Sequence, residues 1–413
     1  MSTPATLVIV GAGQAGAWAA RTLRERGHAG RIVLCGDEVH APYERPPLSK
    51  GLLSGASTAA EAELLGAAQL RALDIEFLPA LAAVAIDPAR RLLRCADGRE
   101  LGYDKLLLAT GGSPCRPALP GLDHPSVRTL RTLDDAQALR QALAGQPRVA
   151  IVGGGWIGLE TAATARALGC AVSVIEAGPR LCGRSVMAPV SAQLLQRHQA
   201  AGVDVLLGRG LAALEQTADG VRLRLADGTG IAADLVLLGV GMQPNDALAR
   251  AAGLDCARGV RVDAACRSSD PHIYAAGDVA LLTHPRVPDG LRLESWQNAQ
   301  DQGVAAALSM LGEPVAYAPL PLVWSEQYEH MIQIAGFPQL AARTLRRDTA
   351  GGGALYLGVD AEGAAVAAVG IDAGRDFRGA RKWVEQGAVA PLADFEPCDA
   401  PEHAAARLTE MTA

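Results

Sequence analysis

The sequence predicts an α/β protein in which two Rossmann-like dinucleotide-binding domains are followed by an α+β domain at the C-terminal end. Three observations lead to this prediction. A strand, a glycine-rich turn and a helix occur in that order at two places, beginning at Leu7 and at Arg148. Apolar strands that end in glycine and proline follow each copy. The residues from about Pro319 then alternate between apolar and polar as antiparallel strands do.

The first copy begins with the β-branched run Leu-Val-Ile-Val at 7–10. The turn Gly-Ala-Gly-Gln-Ala-Gly occupies 11–16, and the helix-compatible stretch after it ends at Gly27. A second strand is predicted at 31–34, and an acidic residue, Asp37 or Glu38, follows it. This is the βαβ pattern of a dinucleotide-binding unit.

The second copy repeats the same order. A strand at 148–152 leads into Gly-Gly-Gly-Trp-Ile-Gly at 153–158, and a helix and a strand at 171–175 follow. In such a turn the first glycine allows the tight bend, the second admits the pyrophosphate, and the third lets the helix and strand pack closely. The phosphates then lie against the helix N-terminus. The sequence therefore predicts two dinucleotide sites.

Two such sites in one chain favour electron relay between a nicotinamide coenzyme and a permanently held FAD. Glu176 closes the second unit and is predicted to accept hydrogen bonds from both hydroxyls of the adenosine ribose, which favours NADH over NADPH. Arg180 and Arg184 lie close enough in sequence to offset this preference. The alternative, that both are solvated loop arginines, stays open.

The domain boundaries are predicted from two strands broken by glycine and proline, at 105–114 and at 234–245. The expected organisation is an FAD-binding domain made of residues 1–113 and 241–318, an NAD-binding domain at 114–240, and a C-terminal α+β domain at 319–413. The NAD-binding domain would thus be inserted within the FAD-binding domain.

Composition excludes several classes of protein. Apolar residues are 49% and charged residues 20% of the chain, so it is not a disordered polymer. A net charge of −6 without a Lys/Arg block argues against nucleic acid or an anionic membrane as a partner. No apolar run reaches the roughly 18 residues of a membrane span, and the N-terminus lacks a signal-peptide pattern, so a cytoplasmic location is expected. The eight cysteines are scattered and predicted to be free thiols, and no metal site is expected.

The most specific motif is Pro-Tyr-Glu-Arg-Pro-Pro-Leu-Ser-Lys at 42–50. Further motifs follow in order: YDKLLLATGGSPCRP, LRTLDDA, VGGGWIGLE, GVGMQPN, AAGDV, RLESWQNAQDQG and VWSEQYE. With these motifs the chain resembles the FAD-dependent NADH:ferredoxin reductases of Rieske oxygenase and bacterial P450 systems. The resemblance spans nearly the whole chain. It implies a glutathione-reductase-like architecture, noncovalent FAD, and NADH as cosubstrate.

The resemblance also implies site residues. The FAD contacts would be Gly11, Gly13, Ala15, Gly16, Asp37, Arg45, Lys50, Ala83, Arg131, Asp278 and Trp296. The NADH contacts would be Gly153, Gly155, Trp156, Ile157, Gly158, Glu160, Glu176 and Gly241. Lys50 and Glu160 would form a catalytic pair at the reactive edge of the flavin. The chain departs from the common pattern at Trp156, where tyrosine is frequent, and at Ala83, where a larger β-branched residue is frequent.

The neighbourhood where glutathione-reductase-like relatives carry a redox CxxxxC holds no cysteine pair here. Reduced flavin would therefore meet an external acceptor directly. The resemblance implies that this acceptor is a [2Fe–2S] ferredoxin of the Rieske or adrenodoxin type, which takes single electrons and serves a Rieske oxygenase or P450 in aromatic hydrocarbon catabolism. Trp324 would lie near the electron exit. Docking would involve Arg375, Arg378, Arg381 and Lys382, for which an ordinary solvated helix face is the alternative.

Two rival functions remain open at this stage. An NADH oxidase or peroxidase of this fold generally carries an active cysteine near the Leu-Ser-Lys position, and residues 40–52 contain none. A flavoprotein similar to apoptosis-inducing factor would act by binding a partner or nucleic acid; the net charge of −6 and the lack of a basic tail argue against nucleic acid. The expected protein is a monomer or a homodimer.

Overall fold

The computed structural model describes residues 5–389 and 394–398, which group into two compact units. Unit 1 contains the residues up to Pro47, Ser57–Ser113 and Met242–Pro319; unit 2 contains Leu48–Ala56, Pro114–Gly241 and the residues from Leu320 onward. Leu48–Ala56 clusters with unit 2, although the sequence analysis placed it in the first domain. The division into three domains stays a prediction.

The β-strands are numbered along the chain. They are β1 (Leu7–Val10), β2 (Ile32–Cys35), β3 (Glu76–Leu78), β4 (Ala83–Asp87), β5 (Leu92–Cys95), β6 (Glu100–Gly102), β7 (Lys105–Leu108), β8 (Gly112–Pro114), β9 (Val127–Arg128), β10 (Arg148–Val152), β11 (Ala171–Glu176), β12 (Asp204–Leu207), β13 (Leu211–Thr217), β14 (Gly220–Leu225), β15 (Gly230–Ala233), β16 (Leu235–Leu238), β17 (Met242–Pro244), β18 (Cys256–Ala257), β19 (Gly259–Val262), β20 (Ile273–Ala275), β21 (Ala280–His284), β22 (Val287–Leu291), β23 (Leu322–Gln327), β24 (His330–Gly336), β25 (Arg343–Asp348), β26 (Ala354–Val359), β27 (Ala365–Ile371) and β28 (Glu396–Pro397).

The helices are numbered in the same way. They are α1 (Gln14–Glu25), α2 (Gly51–Ser54), α3 (Ala67–Ala72), α4 (Leu133–Leu143), α5 (Trp156–Ala167), α6 (Ala188–Ala200), α7 (Ala247–Ala251), α8 (Trp296–Met310) and α9 (Gly374–Gln386). Short 3-10 helices occur at Pro46–Ser49, Gly277–Val279 and Pro338–Leu340.

Unit 1 is built on a five-stranded parallel sheet in the order β20-β7-β1-β2-β3. All four residues of β1 are buried, as expected for a strand that is covered on both faces. Leu7 and Ile9 pack with α1 and α8, while Val8 and Val10 face a second apolar cluster that includes Leu93 and Val260. Both predicted strands of the first copy are present, at β1 and β2.

Unit 2 contains the second parallel sheet, in the order β12-β11-β10-β16-β9. Ala150 and Val152 of β10 pack against Leu223 and neighbouring residues of the antiparallel β13-β14-β15 sheet. The strand–turn–helix from β10 into α5 repeats the arrangement of β1 and α1. The two parallel sheets confirm the predicted α/β fold class.

The C-terminal part of unit 2 forms an antiparallel sheet in the order β23-β24-β27-β26-β25-β28. Helix α9 packs on this sheet through Phe377, Ala380 and Val384, which are buried. The antiparallel alternation that the sequence predicts after Pro319 is confirmed, and so is the helix near the end of the chain.

Candidate functional site

The first glycine turn leads from β1 into α1 in unit 1. Gly11 has a φ of +109°, and a Cβ at that position would lie 2.1 Å from the carbonyl oxygen of Ala109. A Cβ at Gly16 would lie 1.9 Å from the carbonyl oxygen of Gly11. Backbone packing therefore requires glycine at both positions, in the roles that the first and third glycines play in a dinucleotide-binding turn.

The middle glycine of this turn has a different environment. A Cβ at Gly13 would meet no protein atom within 4 Å. Gly13 is also the N-cap of α1, and it contributes no side-chain cap. The first N–H groups of a helix lack partners within the helix and carry its positive dipole end, so they attract phosphate. The open space and the uncapped helix fit the pyrophosphate of a dinucleotide such as FAD.

The acidic residues after β2 differ in their surroundings. Asp37 is exposed, whereas Glu38 is half-buried. Glu38 Oε1 accepts a hydrogen bond from Arg45 Nη2 at 2.7 Å, and its Oε2 accepts one from the Tyr43 hydroxyl at 2.5 Å. Burial by itself would lower the pKa of Arg45, but Tyr43 and Glu38 raise it above its ordinary value. The 42–50 motif thus holds Glu38, whereas Asp37, the predicted FAD contact, is exposed.

The other FAD residues predicted in unit 1 lie on four elements. Ala15 is buried in α1, Asp278 lies in the 3-10 helix Gly277–Val279, and Trp296 begins α8. A Cβ at Gly277 would lie 3.1 Å from Ala15 Cβ, so the Asp278 segment is close to the first turn. Ala83 is half-buried in β4. Arg131 and Lys50 belong to unit 2, and Arg131 precedes α4 with its N–H bound to Asp135 Oδ2 at 2.9 Å.

The second glycine turn, in unit 2, repeats the geometry of the first. Gly153 has a φ of +110°, and a Cβ there would lie 2.3 Å from the carbonyl oxygen of Gly239. A Cβ at Gly158 would lie 2.2 Å from the carbonyl oxygen of Gly153, whereas a Cβ at Gly155 would meet no atom within 4 Å. Gly155 is the N-cap of α5 and contributes no side-chain cap. This turn therefore fits a second dinucleotide.

The remaining NADH residues lie around this turn. Trp156 and Ile157 open α5, where Trp156 is half-buried and Ile157 is exposed. Gly241 follows β16 with a φ of +108°, a conformation that favours glycine. Both side chains and the glycine thus belong to the same unit as the second turn.

Glu176, the last residue of β11, is attached to the second turn by its carboxylate. Its Oε2 accepts a hydrogen bond from Gly154 N at 2.7 Å, and its Oε1 accepts one from Gly178 N at 2.6 Å. Arg180 donates to the carbonyl oxygens of Val186 and Gly183 at 2.7 and 2.6 Å, so it is engaged within its own loop. Arg184 is exposed. The two arginines therefore differ: Arg184 is exposed, as a solvated loop arginine would be, whereas Arg180 is bound to carbonyl oxygens of its own loop.

Lys50 and Glu160 form an ion pair in unit 2. Lys50 Nζ lies 2.9 Å from Glu160 Oε2, and Glu160 is only 4% exposed. The Ser49 hydroxyl also donates to Glu160 Oε2. Lys50 Nζ lies 4.6 Å from the ring centroid of Trp324, within the range of a cation–π contact. The structure thus joins Lys50, Glu160 and Trp324 in one cluster.

The other oxygen of Glu160 contacts the C-terminal sheet. Ser325 Oγ donates to Glu160 Oε1 at 2.7 Å, and Gln327 Nε2 donates to Ser325 Oγ at 3.1 Å. Gln327 Oε1 lies 2.9 Å from His198 Nε2, and the Tyr328 hydroxyl lies 3.0 Å from His198 Nδ1. Sequence reasoning did not single out Ser49, Ser325, Gln327 or His198. Ser325 and Gln327 are polar residues two apart on β23, a spacing that places both on one face of the strand, and both are buried.

The predicted docking residues lie on the outer face of α9. Arg375, Arg378, Arg381 and Lys382 are all exposed. Arg381 Nε lies 2.7 Å from Glu385 Oε1, so part of the positive charge is paired within the helix. Trp324 is half-buried on β23.

The cysteines form no redox pair at either glycine turn. All eight fall within the described ranges and are free thiols, as predicted. Cys182 lies beside the second glycine turn, where its Sγ is 3.6 Å from the carbonyl oxygen of Gly154, and burial raises the pKa of this thiol. Within residues 5–389 and 394–398 we found no cluster of three His, Cys, Asp or Glu side chains that would hold a metal. The helices of this same part of the chain are too short or too polar to cross a membrane.

Comparison with known proteins gives a consistent result. A family model described as pyridine nucleotide-disulphide oxidoreductase matches residues 5–303, and one described as reductase C-terminal matches residues 322–400. The ferredoxin reductase of the CYP199A2 system from Rhodopseudomonas palustris is 35% identical, with a TM-score of 0.90 over 93% of this chain and 95% of that one. Putidaredoxin reductase, in its covalent complex with putidaredoxin, is 33% identical, with a TM-score of 0.88 over 93% and 94%. Fdr9 is 34% identical, with a TM-score of 0.85 over 94% and 97%.

Proposed function

The chain belongs to the pyridine nucleotide-disulphide oxidoreductase family, and from that premise we propose that it is an NADH-dependent ferredoxin reductase. It is a flavoprotein oxidoreductase that takes electrons from a pyridine nucleotide and passes them to a ferredoxin. The finer parts of the proposal are noncovalent FAD, NADH as the coenzyme, and a [2Fe–2S] ferredoxin that serves a Rieske oxygenase or P450 in aromatic hydrocarbon catabolism.

The observation that carries the proposal is the pair of glycine turns with equivalent geometry. In each turn the first and third glycines are required by backbone contacts of 2.3 Å or less, and the middle glycine faces open space. A chain that needs only a tight turn has no reason to keep the middle position free of a side chain. Two binding sites for pyrophosphates support one bound FAD and one exchanging coenzyme. FAD, when bound, supplies the ability to accept a hydride and to release its electrons singly.

Glu176 supports NADH as the coenzyme. Two backbone N–H groups orient its carboxylate at the end of β11, the position from which an acidic residue reaches the adenosine ribose. A fixed negative charge at that position repels a 2′-phosphate. Because Arg180 is held by carbonyl oxygens of its own loop, it is poorly placed to cancel this charge.

Lys50 and Glu160 support a role in the hydride step. The negative charge of the buried Glu160 carboxylate is held in place by the Lys50 ammonium group, whose Nζ lies 2.9 Å from Oε2. Placed beside the nicotinamide, that charge stabilises the cation that develops as the hydride leaves. The catalytic assignment of both residues is part of this proposal.

The absence of a cysteine pair that could relay electrons supports an external electron acceptor. All eight cysteines are free, and residues 40–52 contain none, so the chain offers no disulfide relay and no active cysteine of the oxidase type. Direct transfer to a one-electron carrier protein is the remaining route. The exposed arginines and lysine of α9 offer a basic face for such a carrier.

The test has two parts. The purified protein should be yellow, should contain one noncovalent FAD per chain, and should lose its colour when NADH is added without oxygen. NADH should then reduce cytochrome c much faster in the presence of a [2Fe–2S] ferredoxin from a panel than in its absence. A colourless protein that FAD cannot reconstitute would remove the proposal. Rapid oxygen consumption without any stimulation by ferredoxin would favour the oxidase alternative instead.

A further inference from the structure

A continuous chain of hydrogen bonds connects Glu160 to a surface tyrosine within unit 2. Glu160, Ser325, Gln327 and His198 are between 0% and 4% exposed, and each contacts the next at 2.7, 3.1 and 2.9 Å. They come from three separate elements, α5, β23 and α6. Tyr328, 37% exposed, ends the chain at His198 Nδ1.

The direction of every hydrogen bond follows from the charge of Glu160. A carboxylate only accepts, so the single hydroxyl proton of Ser325 points to it, and Ser325 Oγ must accept from the Gln327 amide nitrogen. The Gln327 oxygen then faces His198 Nε2, which must carry a proton. Burial lowers the pKa of His198, so the ring is neutral and its Nδ1 accepts from Tyr328. All donors therefore point toward Glu160, and hydrogen bonds aligned in this way strengthen one another.

The two oxygens of Glu160 have different partners. Lys50 and Ser49 occupy Oε2, whereas Ser325 donates to Oε1. An ion pair at one oxygen leaves the carboxylate free to rotate about its terminal torsion, which is broad for glutamate. The hydrogen bond at the second oxygen removes this freedom. Ser325 thus determines the plane of the carboxylate.

Stability does not account for this polar chain. Buried polar groups cost free energy unless each is fully hydrogen-bonded, and well-packed apolar residues often serve stability equally well. Ser325 and Gln327 lie on the buried face of a strand in which apolar residues would be the ordinary choice. The hydrogen-bonded network instead gives each of these side chains a partner and leads to Glu160, two residues after the second glycine turn.

We propose that Ser325, Gln327 and His198 are positioning residues that fix the carboxylate of Glu160 for the hydride step. This inference rests on the proposed function, because Glu160 is assigned to that step. Gln327 is the link that transmits the orientation, since its amide joins the imidazole to the serine. None of the three touches the reacting atoms, so each acts through Glu160 alone.

The test is a double-mutant cycle on the FAD-loaded protein. Gln327→Leu should slow flavin reduction by NADH roughly tenfold in stopped flow, with FAD content unchanged. In the Glu160→Gln background the same substitution should cause no further loss of rate, because the charge that the hydrogen-bonded network orients has been removed. Gln193→Leu is the matched control. It removes the hydrogen bond between Gln193 and Tyr356, which lies in the same unit but is not part of the network around Glu160, and it should leave the rate of flavin reduction unchanged.

A spectroscopic measurement tests the arrangement independently of turnover. In protein with ¹⁵N-labelled histidine, His198 should be a neutral ring protonated at Nε2, with a proton that exchanges slowly; His198→Gln identifies its signals. Gln327→Leu should speed that exchange. A rate loss of equal size in both backgrounds, or a His198 protonated at Nδ1, would overturn the proposal. If NADH fails to reduce the wild-type flavin at all, the proposed function itself is wrong and this inference falls with it.

Discussion

Lys50 Nζ lies 2.9 Å from Glu160 Oε2, and the two side chains are only 14% and 4% exposed. The lysine ends the 42–50 motif, whereas the glutamate lies in α5, directly after the second glycine turn. A buried carboxylate is costly to leave unpaired, so the motif and the turn depend on each other. Their partnership is the basis of the first prediction.

Lys50→Ala and Glu160→Gln should each slow flavin reduction by NADH about tenfold or more, while FAD stays bound. The first leaves a buried carboxylate without its cation, and the second keeps the shape of the side chain but removes the charge that stabilises the transition state. Stopped-flow absorbance under anaerobic conditions measures the rate. Lys50→Arg, which keeps the charge, should retain more of the rate than Lys50→Ala. Unchanged rates in both main variants would show that the pair has no part in the hydride step.

Coenzyme preference should depend on Glu176. With NADPH, the Glu176 carboxylate would repel the 2′-phosphate and lose its own hydrogen bonds to the ribose. Together these effects correspond to about 2–4 kcal/mol, or roughly 30- to 1000-fold in kcat/KM in favour of NADH. Glu176→Ala should narrow this ratio, mainly by weakening NADH. Glu176→Gln is the control for shape, since it keeps an acceptor for one of the N–H groups of Gly154 and Gly178. Equal use of NADPH by the wild type would mean that the charge does not reach the ribose.

Substitution of the middle glycines, Gly13 and Gly155, should distinguish the FAD site from the NADH site. Because no protein atom lies within 4 Å of a Cβ at Gly13 or Gly155, alanine at either position should leave the fold of the protein intact. Gly13→Ala should lower FAD occupancy after purification. Gly155→Ala should keep FAD and raise the KM for NADH. Absorbance spectra and steady-state kinetics distinguish the two results, and the opposite assignment of effects would exchange the roles of the turns.

Gly16→Ala is the structural counterpart of these variants. Its Cβ would lie 1.9 Å from a backbone oxygen, so the protein should lose stability even without cofactor. A thermal unfolding temperature equal to that of Gly13→Ala would contradict the packing roles given to the first and third glycines.

Ferredoxin docking should depend on salt and on α9. Reversing Arg378 and Arg381 to glutamate should raise the KM for ferredoxin severalfold and flatten its salt dependence, because exposed charges act mainly on association and are screened within about 8–10 Å. Flavin reduction by NADH should stay unchanged.

The control for this reversal changes Arg21 in α1 and Arg26, the residue that follows α1, to glutamate. Arg21 pairs with Glu25 at 2.7 Å in the same i,i+4 geometry as Arg381 and Glu385, and the total change of charge is identical. This variant should leave the ferredoxin kinetics as they are. If the two double variants behave alike, the basic face of α9 is an ordinary solvated surface.

Acid should destabilise the protein partly through His198. Burial lowers the pKa of this ring below its ordinary value of 6.5, so the unfolded chain binds a proton that the folded chain does not. The stability from the neutral ring is complete above pH 6.5 and is lost as the pH falls toward the lowered value, at up to about 1.4 kcal/mol per pH unit. Urea unfolding between pH 7 and 5 should therefore show a smaller loss for His198→Gln than for the wild type. Parallel curves would mean that His198 titrates alike in both states.

The sequence alone determined the two βαβ units, because their signals are local. A strand, three glycines at fixed spacing, a helix and a terminal acidic residue all lie within about thirty residues of one another. The bounds of β1 and β10 follow directly from the strand-like runs at 7–10 and 148–152. The antiparallel C-terminal sheet and α9 were accessible in the same way, since alternation and helical spacing are properties of neighbouring residues.

The resemblance pairs Lys50 with Glu160, but only the tertiary structure decided which other residues surround this carboxylate. Ser49 and Ser325 reach it from 111 and 165 positions away, and His198 lies 129 positions from the glutamine that contacts it. No periodicity or spacing marks such contacts, because they arise where separate elements pack and each residue alone resembles an ordinary polar side chain. The same holds for Glu38, which the 42–50 motif engages through Tyr43 and Arg45 once the chain has folded. Patterns of neighbouring residues thus identified the two glycine turns, whereas contacts between distant residues formed the environment of the Glu160 carboxylate.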